Sequence, residues 1–179
     1  SKYAHIEKQI CNGSNKDKPP TVLWAHRCCY QKQPHLVYQI AKQMKHVTFV
    51  MAGHGTIANS QRFEALGNVL PVGDFEDFLQ LTKDHEPDLF LNTSLFDGAP
   101  NVIKEAISLN IPVVSSACGG IPELFQKGVG LVRVGDVNGF INAITFAISQ
   151  PTEVMSDAVK YTDAMESSDF SIAIDTLDL

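Results

Sequence analysis

The sequence predicts an α/β fold, a Rossmann-like doubly wound parallel sheet of about six strands with helices on both faces. Two observations predict it. Short runs of Val, Leu, Ile and Phe alternate with amphipathic stretches from Thr21 to Ser149, the pattern of strands buried on both faces, each followed by a covering helix. Glycines and small polar residues collect just after several of those runs, as in "MAGHG" and "LNTS", at the strand ends where such sheets bind ligands.

The elements follow in order. "TVLWAH" is a strand because its apolar run is unbroken, and "PHLVYQIAKQMK" is a helix because Leu36, Val37, Ile40 and Ala41 fall on one face. "VTFVMAG", "NVLPVG", "DLFLNTS", "PVVSSA" and "GLVRV" read as the remaining strands. Between them lie helices over "RFEAL", "FEDFLQLTK" and "NVIKEAISL", with "GFINAITFAIS" after the last strand. Residues 1–20 are dense in turn formers and charges, which predicts a linker ahead of a domain over 21–179. The last residues, from Glu153 to Leu179, predict two helices broken near Ser167 and Ser168, the second capped by Ser168 or Asp169.

Composition narrows the function classes. With 179 residues, 44% of them hydrophobic, the chain holds enough apolar material for one cored domain. A formal net charge of -6 and no cationic stripe exclude a nucleic-acid partner. No apolar stretch approaches the ~20 residues that span a bilayer, so no transmembrane segment is expected. Cys11, Cys28, Cys29 and Cys118 show neither a zinc spacing nor a disulfide framework, which predicts apolar fillers in a reducing, cytoplasmic setting.

The chemistry-bearing residues gather at the strand ends. In "LFDGAPNVIKEA", Asp97 and Glu105 are separated by seven residues across a loop and a helix start. Pro100 suits the first helical position, and the amides of Asn101 and Val102 then fall in an open first turn, a seat for an anion. Carboxylates accept hydrogen bonds from sugar hydroxyls while the helix end takes a phosphate, a combination that fits a sugar nucleotide. Arg27 and Lys32 sit on the loop after the first strand, either as solvated charges or as partners for a diphosphate. Gly53, Gly55, Gly119 and Gly120 mark turns or close backbone approaches and form no G-x-G-x-x-G fingerprint. Glu123 is expected to begin a helix. His26 and His54 end strands at the same edge; both read as hydrogen-bonded structural residues rather than catalytic bases.

These motifs resemble the C-terminal, donor-binding half of retaining GT-B glycosyltransferases of the family-4 type. "DGAPNVIKE" keeps the spacing of the family's Glu-Gly-Phe-Pro-Asn segment and its second Glu. "IPVVSSACGGIPEL" resembles its next strand and Gly-Gly-x-Pro-Glu turn, and "HRCCYQKQP" its diphosphate-binding Arg and Lys. The resemblance runs from Thr21 to Leu179.

It implies transfer of a sugar from a nucleoside-diphosphate donor with retained configuration, with Arg27, Lys32 and Asp97 as the catalytic group. Arg27 and Lys32 would hold the diphosphate with the amides of Asn101 and Val102, and Glu105 would accept the ribose hydroxyls. Asp97 and Gly98 would sit by the hexose, Gly53 by the donor, and the loop from Gly73 to Phe75 by the base. The family usually has Glu where this chain has Asp97, one methylene shorter. Protein cations would stabilise the leaving group, so no cofactor or metal is expected. The N-terminal domain of such an enzyme, which would bring a glycan or lipid-linked acceptor, has no room in this chain. A fragment inactive without that half is therefore expected, acting in the cytoplasm or peripherally at the inner membrane face through the missing domain. Two other readings are a non-catalytic nucleotide-sugar-binding domain and a GT-B sugar-nucleotide epimerase, the latter less consistent with the Asp97 to Glu105 segment.

Overall fold

A computed structural model describes residues 18–158 and contains one six-stranded parallel sheet. β1 (Thr21–Ala25) lies between β2 (Thr48–Ala52) and β4 (Leu89–Asn92). β3 (Val69–Gly73) flanks β2, while β5 (Val113–Ser116) and β6 (Leu131–Val132) continue beyond β4, giving the order β3-β2-β1-β4-β5-β6. Thr21 pairs with Thr48 through to Ala25 with Ala52, and Val22 pairs with Leu89. Sequence order reverses between β1 and β4, and in such sheets the ligand crevice lies at the carboxyl ends of the strands beside that switch point.

The helices are α1 (Pro34–Gln43), α2 (Ser60–Glu64), α3 (Phe78–His85), α4 (Asn101–Ser108) and α5 (Val137–Ser149). Alternate residues of β1 serve opposite faces of the sheet. Val22 and Trp24 pack with Leu36, Val37 and Ile40 of α1, Phe63 of α2, and Phe140 and Ile144 of α5. Leu23 and Ala25 pack with Phe78 and Leu81 of α3 and with Ile103, Ala106 and Ile107 of α4. Burial of each large apolar side chain contributes roughly 1.5–3 kcal/mol, enough collectively to order both layers.

Four boundaries differ from the sequence expectation. Pro100 is the N-cap of α4 rather than its first residue, because its ψ of 134° is extended while its carbonyl already accepts from Ile103 N–H at 3.1 Å. α3 begins at Phe78, since Asp77 turns its carboxylate onto the Leu79 amide and so sets the start one turn later. Glu123 lies in a short 3-10 turn (Ile121–Leu124), not an α-helix. β6 keeps only two residues because the chain turns at Arg133, whose carbonyl accepts from Asp136 N–H.

After α5 the chain is helical again over 151–158. Val154 joins one core layer and Ala158 the other, so this stretch passes around the end of the sheet. Buried Asp157 fixes it there: Oδ1 accepts from Lys127 N–H at 2.5 Å and Oδ2 from Val129 N–H at 2.8 Å, just before β6. The expected break near Ser167 and Ser168, and most of the linker over 1–20, lie outside the described residues.

Candidate functional site

The loops after β1 and β4 are zipped together. Leu95 N–H donates to Gln31 C=O at 2.7 Å, and Gln31 Nε2 returns a bond to Phe96 C=O at 2.9 Å. Beneath them, buried Trp24 donates its indole N–H to Thr93 Oγ1 at 3.0 Å, and that hydroxyl donates to Lys32 C=O at 2.7 Å. Lys32 and Asp97 are thereby held opposite each other and form an ion pair whose side chains are 12% and 15% exposed. Asp97 also accepts from its neighbour Gly98 N–H at 3.0 Å. Ser94 Oγ stands 3.1 Å from Asp97 Oδ2 and 2.7 Å from Asn92 Oδ1, its single proton serving one acceptor at a time. Asn92 in turn donates to Ser115 Oγ on the next strand.

Two glycines make this packing possible. A Cβ on Gly119, which has φ +55°, would lie 1.6 Å from the Asp97 carbonyl oxygen. A Cβ on Gly53, at φ +118°, would lie 2.2 Å from the His26 carbonyl oxygen. Both positions exclude a side chain, so the glycines after β2 and β5 are close-approach residues as well as turns.

On the other side of the crevice lies an open cleft of about 400 Å³. Ala25, His26 and Arg27 from the end of β1, Gly53 and His54 after β2, Asp74 and Phe75 after β3, and Val102 of α4 line it. Arg27 is exposed and has no ion-pair partner among the described residues. His54 Nδ1 and Asp74 Oδ2 face each other at 3.5 Å on the rim, both exposed. The amides of Asn101 and Val102 occupy the first turn of α4, where no preceding helical carbonyl can pair with them. Arg27 and that turn supply positive potential to one cleft.

His26 is a buried structural residue with one ring nitrogen left over. It is buried against Trp24, with ring centroids 5.2 Å apart, and Phe90, at 5.6 Å. Its Nε2 is buried without a hydrogen-bond partner among the described residues, while the backbone of Leu91 lies within reach of the ring and favours its protonated form. Burial, reinforced by the Lys32 ammonium and opposed by Asp97, pushes its pKa down to about 3. The imidazole is neutral at any physiological pH.

The structure thus brings Arg27, Gly53, Phe75 and Val102 around one cleft and joins Lys32 to Asp97 beside it. Gly98 stays with Asp97 through its amide, and Gly73 closes β3, with its N–H on Thr56 Oγ1 at 3.0 Å. Glu105 follows Asn101 by four residues on α4, so the two share a helix face. Partial burial and the nearby Asp77 carboxylate hold its pKa above the usual range. Sequence reasoning did not single out Thr93, Ser94, Asn92 or Ser115, although "LNTS" and "SSA" had marked the strand ends that carry them. The available signal was the polarity of residues that strand burial would otherwise make apolar. Cys28, Cys29 and Cys118 are free thiols, and Cys118 Sγ lies 3.4 Å from the Ser94 carbonyl. Among the described residues no three His, Cys, Asp or Glu side chains stand close enough to hold a metal ion.

The chain is similar in sequence and fold to known proteins. Residues 19–150 match the family described as "Glycosyl transferases group 1". The Vi polysaccharide biosynthesis protein VipC/TviE of Salmonella typhi is 30% identical over 138 residues, 72% of this chain and 24% of that protein. The chain therefore spans about a quarter of that curated relative's length. The structure of HepE from Anabaena in complex with UDP-glucose is similar with a TM-score of 0.71 at 24% identity, covering 84% of this chain and 44% of that one. The apo lipopolysaccharide outer core galactosyltransferase WaaB gives a TM-score of 0.73 at 22% identity, covering 91% and 51%. Matched by the family model over most of its length, and folded as one Rossmann-like half of a GT-B architecture, the chain belongs to the group 1 glycosyl transferases.

Proposed function

We propose that the chain is the donor-binding half of a glycosyltransferase that moves a sugar from a nucleoside-diphosphate sugar to an acceptor with retained configuration. The observation that carries this reading is Arg27, exposed and without an ion partner among the described residues, in the cleft that Val102, in the open first turn of α4, also lines. A diphosphate fits there, since a guanidinium fork and helix-end amides both favour phosphate oxygens. HepE was solved with UDP-glucose and WaaB is described as a galactosyltransferase, so UDP-hexoses are the first donors to test.

In this reading the phosphate groups meet Arg27 and the amides of Asn101 and Val102. Glu105 accepts the ribose hydroxyls, Phe75 with Gly73 flanks the base, and Gly53 leaves the cleft floor free of side chain. Lys32 and Asp97 stand at the hexose end with Gly98. Transfer breaks the bond between the anomeric carbon and the diphosphate oxygen, which takes up negative charge. The acceptor oxygen bonds to that carbon on the face the diphosphate leaves and gives up its proton to the departing diphosphate oxygen. Arg27 and Lys32 meet the developing charge, and each such preorganised group supplies roughly 3–4 kcal/mol. These cations do the work that a metal does elsewhere, so the reaction as proposed requires none. A glycan or lipid-linked acceptor would enter from a second, N-terminal domain, and a cytoplasmic, peripherally membrane-associated enzyme follows from that arrangement.

Titration calorimetry of the 179-residue chain with UDP, GDP, ADP and their common sugar conjugates tests the assignment. Binding of one nucleotide series, lost in Arg27→Ala, supports it. A folded chain that binds none of them overturns it.

A further inference from the structure

One hydroxyl beside the ion pair has two acceptors and a single proton. Ser94, fully buried two residues after β4, places its Oγ 2.7 Å from Asn92 Oδ1 and 3.1 Å from Asp97 Oδ2. Asn92 is held from the far side, where its Nδ2 donates to Ser115 Oγ at 2.8 Å and that hydroxyl donates to Ser116 C=O at 3.1 Å. On Asp97, Oδ1 takes the Gly98 amide and Oδ2 the Lys32 ammonium. While Lys32 stays, both carboxylate oxygens are satisfied, and the shorter contact directs the Ser94 proton to Asn92.

We propose that Ser94 is a positioning residue whose O–H turns from Asn92 to Asp97 when a diphosphate draws Lys32 away. On the donor-site reading above, on which this inference rests, the ammonium that meets the diphosphate is the one that neutralises Asp97 in the empty site. Binding the donor therefore uncovers a carboxylate whose side chain is only 15% exposed. Leaving such a group without a partner costs more than leaving a neutral one. A hydrogen bond to a carboxylate is roughly twice as strong as one to a neutral carbonyl, so Asp97 gains more from the Ser94 proton than Asn92 loses. No covalent bond breaks; the proton stays on Ser94 Oγ and only the O–H direction changes. Asp97 keeps its place between Ser94 and the Gly98 amide, and Lys32 is released at lower cost.

Calorimetry measures whichever of UDP, GDP or ADP the wild-type chain binds, together with the matching monophosphate, in wild type, Ser94→Ala and Ser94→Thr. The monophosphate lacks the terminal phosphate that draws Lys32, so it leaves the ion pair intact. Ser94→Ala is expected to weaken the diphosphate about tenfold, the loss of one charge-assisted hydrogen bond, and to leave the monophosphate unchanged. Ser94→Thr, which keeps the hydroxyl, restores diphosphate affinity. In an Asp97→Asn background, where no carboxylate is uncovered, Ser94→Ala changes neither affinity. If Ser94→Ala does not fold, Ser94→Cys takes its place, since a thiol fills the site but donates only weakly. Equal weakening of diphosphate and monophosphate, no change in either, or a loss that persists in Asp97→Asn overturns the turning hydroxyl while leaving the donor site standing. A wild-type chain that binds no diphosphate overturns both.

Discussion

The two sides of the crevice are built on opposite principles. On the β4 and β5 side, polar groups are joined in series from Ser115 through Asn92, Ser94 and Asp97 to Lys32. On the β1 to β3 side, among the described residues, Arg27 has no ion partner, the first amides of α4 are open, and His26 keeps an unpaired nitrogen. The joined side is already satisfied by the protein and serves as a rigid reference. The open side holds unspent interactions, which is where a ligand gains free energy. Substitutions on the two sides should therefore fail differently, those on the joined side in stability as well as turnover and those on the open side in binding.

The strongest test of that contrast is Asp97→Ala. It leaves Lys32 largely buried and unpaired, and an uncompensated charge of this kind should cost about 3 kcal/mol in a urea denaturation curve. Arg27→Ala should do the reverse, leaving the denaturation midpoint in place while weakening nucleotide binding about 100-fold, or ~2.7 kcal/mol, by calorimetry. If Arg27→Ala instead unfolds the chain, the open side is structural after all.

Acid offers a milder probe. The His26 pKa is lowered from 6.5 to about 3, so the unfolded chain takes up a proton there that the folded chain refuses. Its contribution is full above pH 6.5 and is lost as pH falls toward 3, by about 1.4 kcal/mol per pH unit. Denaturation curves at pH 7 and pH 5, in wild type and His26→Phe, should show a shallower pH dependence in the variant. The smallest expected effect is that of Thr93→Val, which removes the hydroxyl between Trp24 and Lys32 at nearly constant volume. It should cost about 1 kcal/mol and loosen the Lys32 loop, visible as faster amide exchange at Lys32 and Gln33.

The layer structure was legible because it depends on local pattern. The runs "TVLWA", "TFVMA" and "LFLN" are apolar enough to be buried on both faces, and the observed β1, β2 and β4 follow them. The same reading placed Asp97 before a helix and Glu105 within it, as observed. It could not pair Lys32 with Asp97 or Trp24 with Thr93, because those partners lie 65 and 69 residues apart and their contact is set by strand order. Nor could it tell that His26 would keep one nitrogen unpaired, which accompanies the packing of Trp24 and Phe90 around its ring. Pro100 illustrates a finer limit: its φ of −57° suits a helix, and only its ψ reveals that it stands just outside.

Asp157 bears on where this folding unit stops. The family match ends at residue 150 and the last sheet strand well before it, which makes Gln150 a tempting place to cut the chain. A cut there would remove the carboxylate that satisfies the Lys127 and Val129 amides and the Val154 side chain that packs in the core. β6 would then keep only its two residue pairs to β5 and the packing of Val132 against α5. Should it peel away, the bared rim of β5 would offer unpaired peptide groups to a strand of another molecule, and a truncated protein would be expected to aggregate rather than simply to lose a tail.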